Sequence, residues 1–283
     1  LRDSVIHISF GELWKIMQPG QPKNLLPEIV ALARRAGDAI LEVYARQFEV
    51  TTKGDQSPLT LADVRSHEII VEGLHSLTPA IPVLSEEASD IPFDERRRWG
   101  QFWLVDPLDG TREFVSRNGE FTVNIALVEA HTPVLGVVHL PVKGVTYSGI
   151  PGDGAFRRGG GDAERIQVCT PAASPLRIVG SRSHRGDSLD RFLPRFEPYE
   201  LVAVGSSIKF CLVAEGSADF YPRFGPTSEW DTAAAQAVVE AAGGRVIQTN
   251  GASLRYNTKP DLLNPHFLVF GDGSRDWVRA VAE

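Results

Sequence analysis

The sequence predicts a mixed fold of α+β and α/β character, with two sheets and helical layers between and outside them. Apolar residues recur at helical spacing in two segments near the start of the folded region. Between residues 102 and 150, strand-like runs succeed one another with turn signals between them, as in an antiparallel sheet. After Pro171 the rhythm changes to strands and helices in alternation. The 283 residues suffice for one large or two ordinary domains.

Residues 1–24 read as an N-terminal extension outside the chemistry. Pro19-Gly20-Gln21-Pro22 separates them from the rest of the chain, and Asp3, Glu12 and Lys15 interrupt any signal-peptide core. Residues 25–172 are expected to form a metal-binding α+β domain, and 173–283 an α/β substrate-binding domain. Pro27 can open a helix over 26–46, whose apolar face carries Ile29, Ala33, Ala36, Ile40 and Tyr44. Thr60 can cap a second helix bearing Leu61, Val64, Ile69, Leu74 and Leu77. Ile81–Leu84 is a short strand that ends at Glu86-Glu87, and Phe102–Val105 a strand that ends in an acidic turn. Phe121, Val123, Ile125 and Leu127 alternate with Thr122, Asn124 and Ala126, which predicts a half-buried strand. Thr132-Pro133 turns it into 134–140; 144–150 continues in the same style, with Gly152-Asp153-Gly154 as a hairpin tip. Later strands are expected over 177–180, 201–204, 218–221, 245–248 and 267–270. Helices are expected over 189–196, 208–215 and 231–242, the last stopped by Gly243-Gly244.

The net charge of −7 gives no default polyanion-binding surface, so a nucleic-acid polymer is not the expected partner. No apolar run is long enough to span a membrane. Cys169 and Cys211 have no paired spacing and lie in apolar surroundings, which predicts buried thiols in a reducing compartment.

The most informative stretch is Asp106-Pro107-Leu108-Asp109-Gly110-Thr111. It sets two carboxylates, a carbonyl and a hydroxyl at one strand end. Hard oxygen ligands clustered in this way suit Mg²⁺, and Mg²⁺ beside a hydroxyl points to phosphate chemistry. A carboxylate directly after an aromatic-apolar strand is costly to bury alone, by several kcal/mol, roughly; a cation removes that cost. Asp63, Glu86 and Asp231 offer further acids at element ends, and each also has an ordinary reading. Asp63 completes a capping box with Thr60, Glu86 and Glu87 suit a solvated strand end, and Asp231 suits a helix N-cap. Phosphatases of the haloacid dehalogenase type carry two Asp in an Asp-x-Asp spacing. Here Pro107 occupies the position two before Asp109, so a covalent aspartyl-phosphate is not expected.

Three blocks resemble the signatures of the lithium-sensitive inositol monophosphatase superfamily: Leu84-Ser85-Glu86-Glu87, Trp103 to Thr111, and Glu229-Trp230-Asp231-Thr232-Ala233-Ala234. The stretches 117–124, 205–210 and 221–226 resemble its CysQ-type branch, the bacterial 3′(2′),5′-bisphosphate nucleotidases. The resemblance implies a layered αβαβα sandwich of the sugar-phosphatase type. It also implies a phosphatase that uses two or three Mg²⁺ ions to hydrolyse the 3′-phosphate of adenosine 3′,5′-bisphosphate to AMP, with 3′-phosphoadenylyl sulfate as a further substrate.

Carried over residue by residue, Glu86, Asp106 and the Leu108 carbonyl resemble the first metal site. Asp106, Asp109 and Asp231 resemble the second. Asp63 and Thr111 match the pair that polarises the attacking water, with Glu86 beside them in the catalytic set. Glu86, Leu108, Asp109, Gly110, Thr111 and Asp231 match positions that touch substrate, and the Gly110 and Thr111 amides would hold phosphate oxygens. His184, Ser206, Lys209 and Arg223 match the positions that hold the nucleotide. Read by themselves, Lys209 and Arg223 are ordinary surface charges and His184 a solvated loop histidine. Arg112 stands where Lys is common, and Ala235 where Gly is familiar, which puts crowding of a neighbouring helix or the base pocket at issue. The alternatives are an inositol or sugar monophosphate phosphatase and a catalytically inactive nucleotide-binding regulator. The resemblance further implies a cytoplasmic monomer or homodimer, with peripheral attachment at the inner membrane face as an option.

Overall fold

Helix α1 (Pro22–Tyr44) buries Leu25, Ile29, Leu32, Ala33, Ala36, Ile40 and Val43. It starts earlier than Pro27 suggests. Pro22 occupies the first turn, where its missing N–H would have no partner anyway, and Pro27 lies inside the helix. Residues 22–24 thus belong to the helix and not to an extension. The structure is a computed structural model that describes residues 21–52, 58–182 and 191–282.

Hairpin β1 (Val50–Thr52) and β2 (Pro58–Thr60) leads directly into α2 (Leu61–Leu77), capped by Thr60. Strand β3 (Val83–Ser85) and the short helix α3 (Phe93–Arg96) come after it. Strand β4 (Gln101–Asp109) continues through both acids, so the expected acidic turn is the last stretch of a strand, with a register break between Asp106 and Asp109. Helix α4 (Thr111–Val115) comes next. Then come β5 (Thr122–Glu129), β6 (Thr132–Leu140), β7 (Val145–Ile150), β8 (Gly154–Arg158) and β9 (Ala163–Ile166). Strands β3 to β9 form one sheet in sequence order. Only β3–β4 is parallel; the other pairs are antiparallel.

The second sheet contains β10 (Leu176–Ser181), β11 (Tyr199–Val204), β12 (Phe220–Arg223), β13 (Arg245–Gln248) and β14 (Phe267–Phe270), in the order β11-β10-β12-β14-β13. Helix α5 (Ile208–Ala214), helix α6 (Ala233–Ala241) and the terminal α7 (Trp277–Val281) complete the chain, with a 3₁₀ turn over Leu193–Phe196. Within the expected 189–196 helix, Arg191 and Phe192 are α-helical and lead into this 3₁₀ turn, and residues 189–190 lie outside the described ones.

Three apolar cores show the layering. α1 and α2 pack on one face of the first sheet through Trp103, Val105, Ile125 and Val137. Its other face, including Phe102, Leu104 and Val138, meets α5, α6 and the second sheet's Tyr221, Val246 and Val269. Ile178, Phe220 and Leu268 cover the far face of the second sheet with Trp277 and Val281. The order is αβαβα. Strand β5 is therefore buried on both faces, from Thr122 to Val128; the expected half-burial fails because helices cover both sides of its sheet. At Gly136 a Cβ would lie 2.0 Å from the Ala234 carbonyl oxygen, so α6 touches β6 backbone to backbone. Ala235 is fully buried in this central layer, away from the cavity described below.

Both cysteines are free; Cys211 is buried, but Cys169 is only partly so, with its Sγ 3.3 Å from the Pro171 carbonyl oxygen at the surface. Among the described residues no helix is long and apolar enough to cross a membrane.

His139 on β6 is 4% exposed, and its Nδ1 lies 2.9 Å from Thr146 Oγ1. Burial, with a smaller push from Arg34 and an opposing pull from Asp38, lowers its pKa from 6.5 to about 4. The unfolded chain then binds more protons between those values. Stability should be at its full value above about pH 6.5 and fall on the order of 3 kcal/mol as pH drops toward 4. His139→Gln should be less stable at pH 7 yet show a shallower slope across that window. Parallel urea-midpoint curves for the two proteins would contradict this.

Candidate active site

The site grows from the end of β4. Asp106 is 1% exposed, and its Oδ1 accepts the Leu108 amide at 3.0 Å, an Asx-type closure that a Pro107 without N–H permits. Gly110 comes next with φ +94°, a left-handed conformation suited to glycine, and starts α4 so that Thr111 points back toward β4. One oxygen of Asp109, Oδ2, is held by the Ser207 amide and hydroxyl, each at 2.6 Å, and by the Asn124 amide at 3.4 Å. Asp231 comes from the loop before α6. Its Oδ2 accepts the Ser228 amide at 2.9 Å, and Thr232, not Asp231, is the N-cap of that helix.

Asp106, Asp109 and Asp231 thus meet, with one oxygen of each within 4.8 Å of the others. Glu86, carried by the parallel pairing of β3 with β4, lines the same cavity and comes within side-chain hydrogen-bonding reach of Asp106. Burial, then the negative charges of Glu86, Asp109 and Asp231, pushes Asp106 well above the usual carboxylate range. Burial does the same to Asp231, reinforced by Asp109 and Glu86. Asp109 is also raised by burial, with hydrogen bonds from Ser207 and the charge of Lys209 pulling the other way. Four hard carboxylates around one cavity, Asp106 buried and the others partly so, either take up protons or share cations. The donor set is all oxygen, with the Leu108 carbonyl beside it, and it fits a hard divalent ion.

Asp63 uses both carboxylate oxygens. Its Oδ2 accepts from the Thr60 amide at 2.8 Å and the Thr60 hydroxyl at 2.7 Å, which caps α2. Its Oδ1 accepts from the Thr111 hydroxyl at 3.2 Å. The buried cap therefore aims the second oxygen at Thr111.

The opposite wall comes from the second sheet. Ser206 adopts φ +49°, and its buried hydroxyl oxygen has no hydrogen-bond partner. Lys209 is 5% exposed, not a surface charge; its ammonium donates to the Ser206 carbonyl at 2.5 Å. Burial lowers its pKa to about 8, with Asp109 opposing the shift. Ser206 precedes α5, so it and Lys209 meet through that carbonyl and not along one helical face. Arg223 donates to Thr227 Oγ1 and the Pro226 carbonyl, which fixes the guanidinium at the rim. The cavity of about 330 Å³ is lined by these groups together with Glu86, Leu108, Gly110, Thr111 and Arg112. His184 lies outside the described residues.

Sequence reasoning missed Ser207, Asn124 and Ser66. The Ser207 hydroxyl lies 2.6 Å from Asp109 Oδ2 and 2.8 Å from the Asp231 carbonyl, so one side chain links two acids. Asn124 donates to Ser207 Oγ at 2.8 Å, and Ser66 donates to the Pro107 carbonyl at 2.7 Å. A polar residue inside a strand buried on both faces was the available signal for Asn124.

Fold and site together are those of a phosphatase of the layered sugar-phosphatase type. The sequence model of the inositol monophosphatase family matches residues 21–272, and the chain belongs to that family. It is 51% identical over 248 residues to the 3′(2′),5′-bisphosphate nucleotidase CysQ of Salmonella typhimurium, covering 87% of this chain and 99% of that protein. The CysQ of Haemophilus influenzae is 38% identical over 257 residues, covering 90% and 96%. The crystal structure of CysQ from Bacteroides thetaiotaomicron superposes with a TM-score of 0.79 at 42% identity, covering 89% of this chain and 98% of that one.

Proposed function

We propose that this chain is a Mg²⁺-dependent phosphatase that removes the 3′-phosphate of adenosine 3′,5′-bisphosphate, giving AMP and phosphate, and that 3′-phosphoadenylyl sulfate is a second substrate. The observation that carries the reading is the meeting of Asp106, Asp109 and Asp231 with Lys209 and Arg223 on one cavity. One wall suits cations and the other suits a second, non-reacting phosphate. The names of the relatives at 51% and 38% identity support the same substrate class, and the free thiols accord with a reducing cytoplasm.

Glu86, Asp106 and the Leu108 carbonyl would hold one Mg²⁺, and Asp106, Asp109 and Asp231 a second. When bound, two such ions supply charge neutralisation at the attacking and leaving oxygens. The chain's own part is positional. Thr111, held by Asp63, keeps a lone pair for the proton of an attacking water, and Asp63 accepts the hydroxyl proton of Thr111. The Gly110 and Thr111 amides hold oxygens of the reacting phosphate. Ser206, Lys209 and Arg223 bind the other phosphate by charge-assisted hydrogen bonds.

Phosphate release from adenosine 3′,5′-bisphosphate, inositol 1-phosphate and fructose 1,6-bisphosphate, with and without Mg²⁺, tests this reading. The first should be preferred and the metal required. Lys209→Ala should raise KM for the bisphosphate about 10- to 100-fold and KM for inositol 1-phosphate much less. Equal losses on both would favour a monophosphate phosphatase.

A further inference from the structure

Beside the cavity, the Glu120 carboxylate bridges the two sheets. Glu120 stands just before β5, on the first sheet. Its Oε2 accepts from Arg182 Nε at 2.8 Å and its Oε1 from Arg182 Nη2 at 2.8 Å, a bidentate pair. Arg182 directly follows β10 of the second sheet and also donates to the Ala203 carbonyl on β11 at 2.7 Å. Glu120 Oε2 accepts a further bond from the Gly205 amide at 2.8 Å. Gly205 opens the segment that carries Ser206, Ser207 and Lys209. Within three residues that segment supplies the amide and hydroxyl on Asp109 and the carbonyl under the Lys209 ammonium.

We infer that the Glu120–Arg182 pair is a positioning clasp: it touches no substrate, but through Gly205 it sets the 205–209 wall against Asp109 and so fixes the subsite for the non-reacting phosphate. The left-handed φ of Ser206 makes this necessary. A serine is not favoured there, so the turn needs outside support, and the Gly205 amide bonded to Glu120 is the bond immediately before it. Burial alone would raise the Glu120 pKa, yet the bonds from Arg182 and Gly205 hold it below the usual carboxylate range. The Arg182 side chain is 48% exposed and that of Glu120 18%. Surface ion pairs are worth roughly 0–1 kcal/mol, and a bidentate arginine–carboxylate pair lies at the upper end, so the positioning role is read from discrimination between substrates and not from stability.

The clasp rests on the proposed function only for the identity of the substrate. The test compares steady-state kinetics of wild type, Glu120→Gln, Arg182→Ala and the double variant Glu120→Gln/Arg182→Ala on adenosine 3′,5′-bisphosphate and adenosine 3′-monophosphate. KM for the bisphosphate should rise about tenfold in each variant, the usual size for loss of an outer support. KM for the monophosphate and kcat on both should stay within about twofold in variants that remain folded at the assay temperature. The double variant should be no worse than the worse single one, because the two residues act as one unit. Unchanged discrimination between the two substrates in folded variants would overturn the clasp, as would additive effects or a fall in kcat alone. If Glu120→Gln does not fold, Arg182→Ala decides, since its side chain is half exposed. If wild type hydrolyses inositol 1-phosphate and not the bisphosphate, the proposed function fails. The clasp is then decided by adenosine 3′,5′-bisphosphate as a competitive inhibitor of that reaction: its inhibition constant should rise about tenfold in the same variants, while KM for the ester stays within about twofold, and a constant inhibition constant would refute the clasp.

Discussion

Asp106→Asn is expected to lower turnover of adenosine 3′,5′-bisphosphate by at least about 10³-fold and, in EDTA, to raise the melting temperature. Both effects have one cause. Asp106 sits among Glu86, Asp109 and Asp231, and burial and those charges push its pKa up. Without a cation the carboxylate is a liability, and the amide of Asn removes it at nearly constant volume. With Mg²⁺ the same carboxylate is the acid shared by both proposed sites, and its loss removes several kcal/mol of transition-state stabilisation, about tenfold per 1.4 kcal/mol. Mg²⁺ should raise the melting temperature of wild type and shift the variant far less. Differential scanning fluorimetry with and without Mg²⁺, beside a phosphate-release assay, reads both sides. A variant that turns over near the wild-type rate, or melts lower in EDTA, would remove Asp106 from the metal site.

The pair proposed to orient the attacking water gives the second large effect. Thr111→Val keeps the shape of the side chain but removes the hydroxyl that donates to Asp63 at 3.2 Å. Loss of such a proton-handling group is expected to lower kcat about 10²- to 10⁴-fold, with KM nearly unchanged because the backbone amides remain. Asp63→Asn should reproduce the loss in kcat. Its carbonyl can still accept from the Thr60 amide and preserve the cap, while its NH₂ cannot accept from Thr111. Asp63→Ala should add a loss of stability of about 1 kcal/mol, the usual value of an N-terminal cap interaction. If both conservative variants turn over within tenfold of wild type, the attacking water is oriented by other groups.

Much of the architecture was legible in the chain. Strands 245–248 and 267–270 fall where the apolar runs place them, and Thr60 caps α2 as its spacing with Asp63 requires. The failures have a common origin. The half-burial expected of β5 fails because its sheet is covered on both faces, which alternation along one strand does not reveal. The N-cap expected of Asp231 moves to Thr232 because the Asp231 side chain closes back on the Ser228 amide instead. The hairpin β1–β2 and the short helices α3, α4 and α7 were not foreseen, since elements of three to five residues carry too few periods of an apolar pattern to register.

Local spacing in the chain was enough to place Asp106, the Leu108 carbonyl and Asp109 together, because neighbours at one strand end stay neighbours in any fold. It was also enough to join Asp63 to Thr60 through a three-residue step. The burial of Lys209 and the bridge from Ser207 between Asp109 and Asp231 were decided by the tertiary structure alone; the pairing of Asp63 with Thr111, implied by the family resemblance, takes its 3.2 Å hydrogen bond from the same packing. Those contacts join residues tens of positions apart, and which side chain meets which depends on how two sheets face one another across a layer of helices. That arrangement is a property of the packed layers and has no signature in the sequence near any one residue.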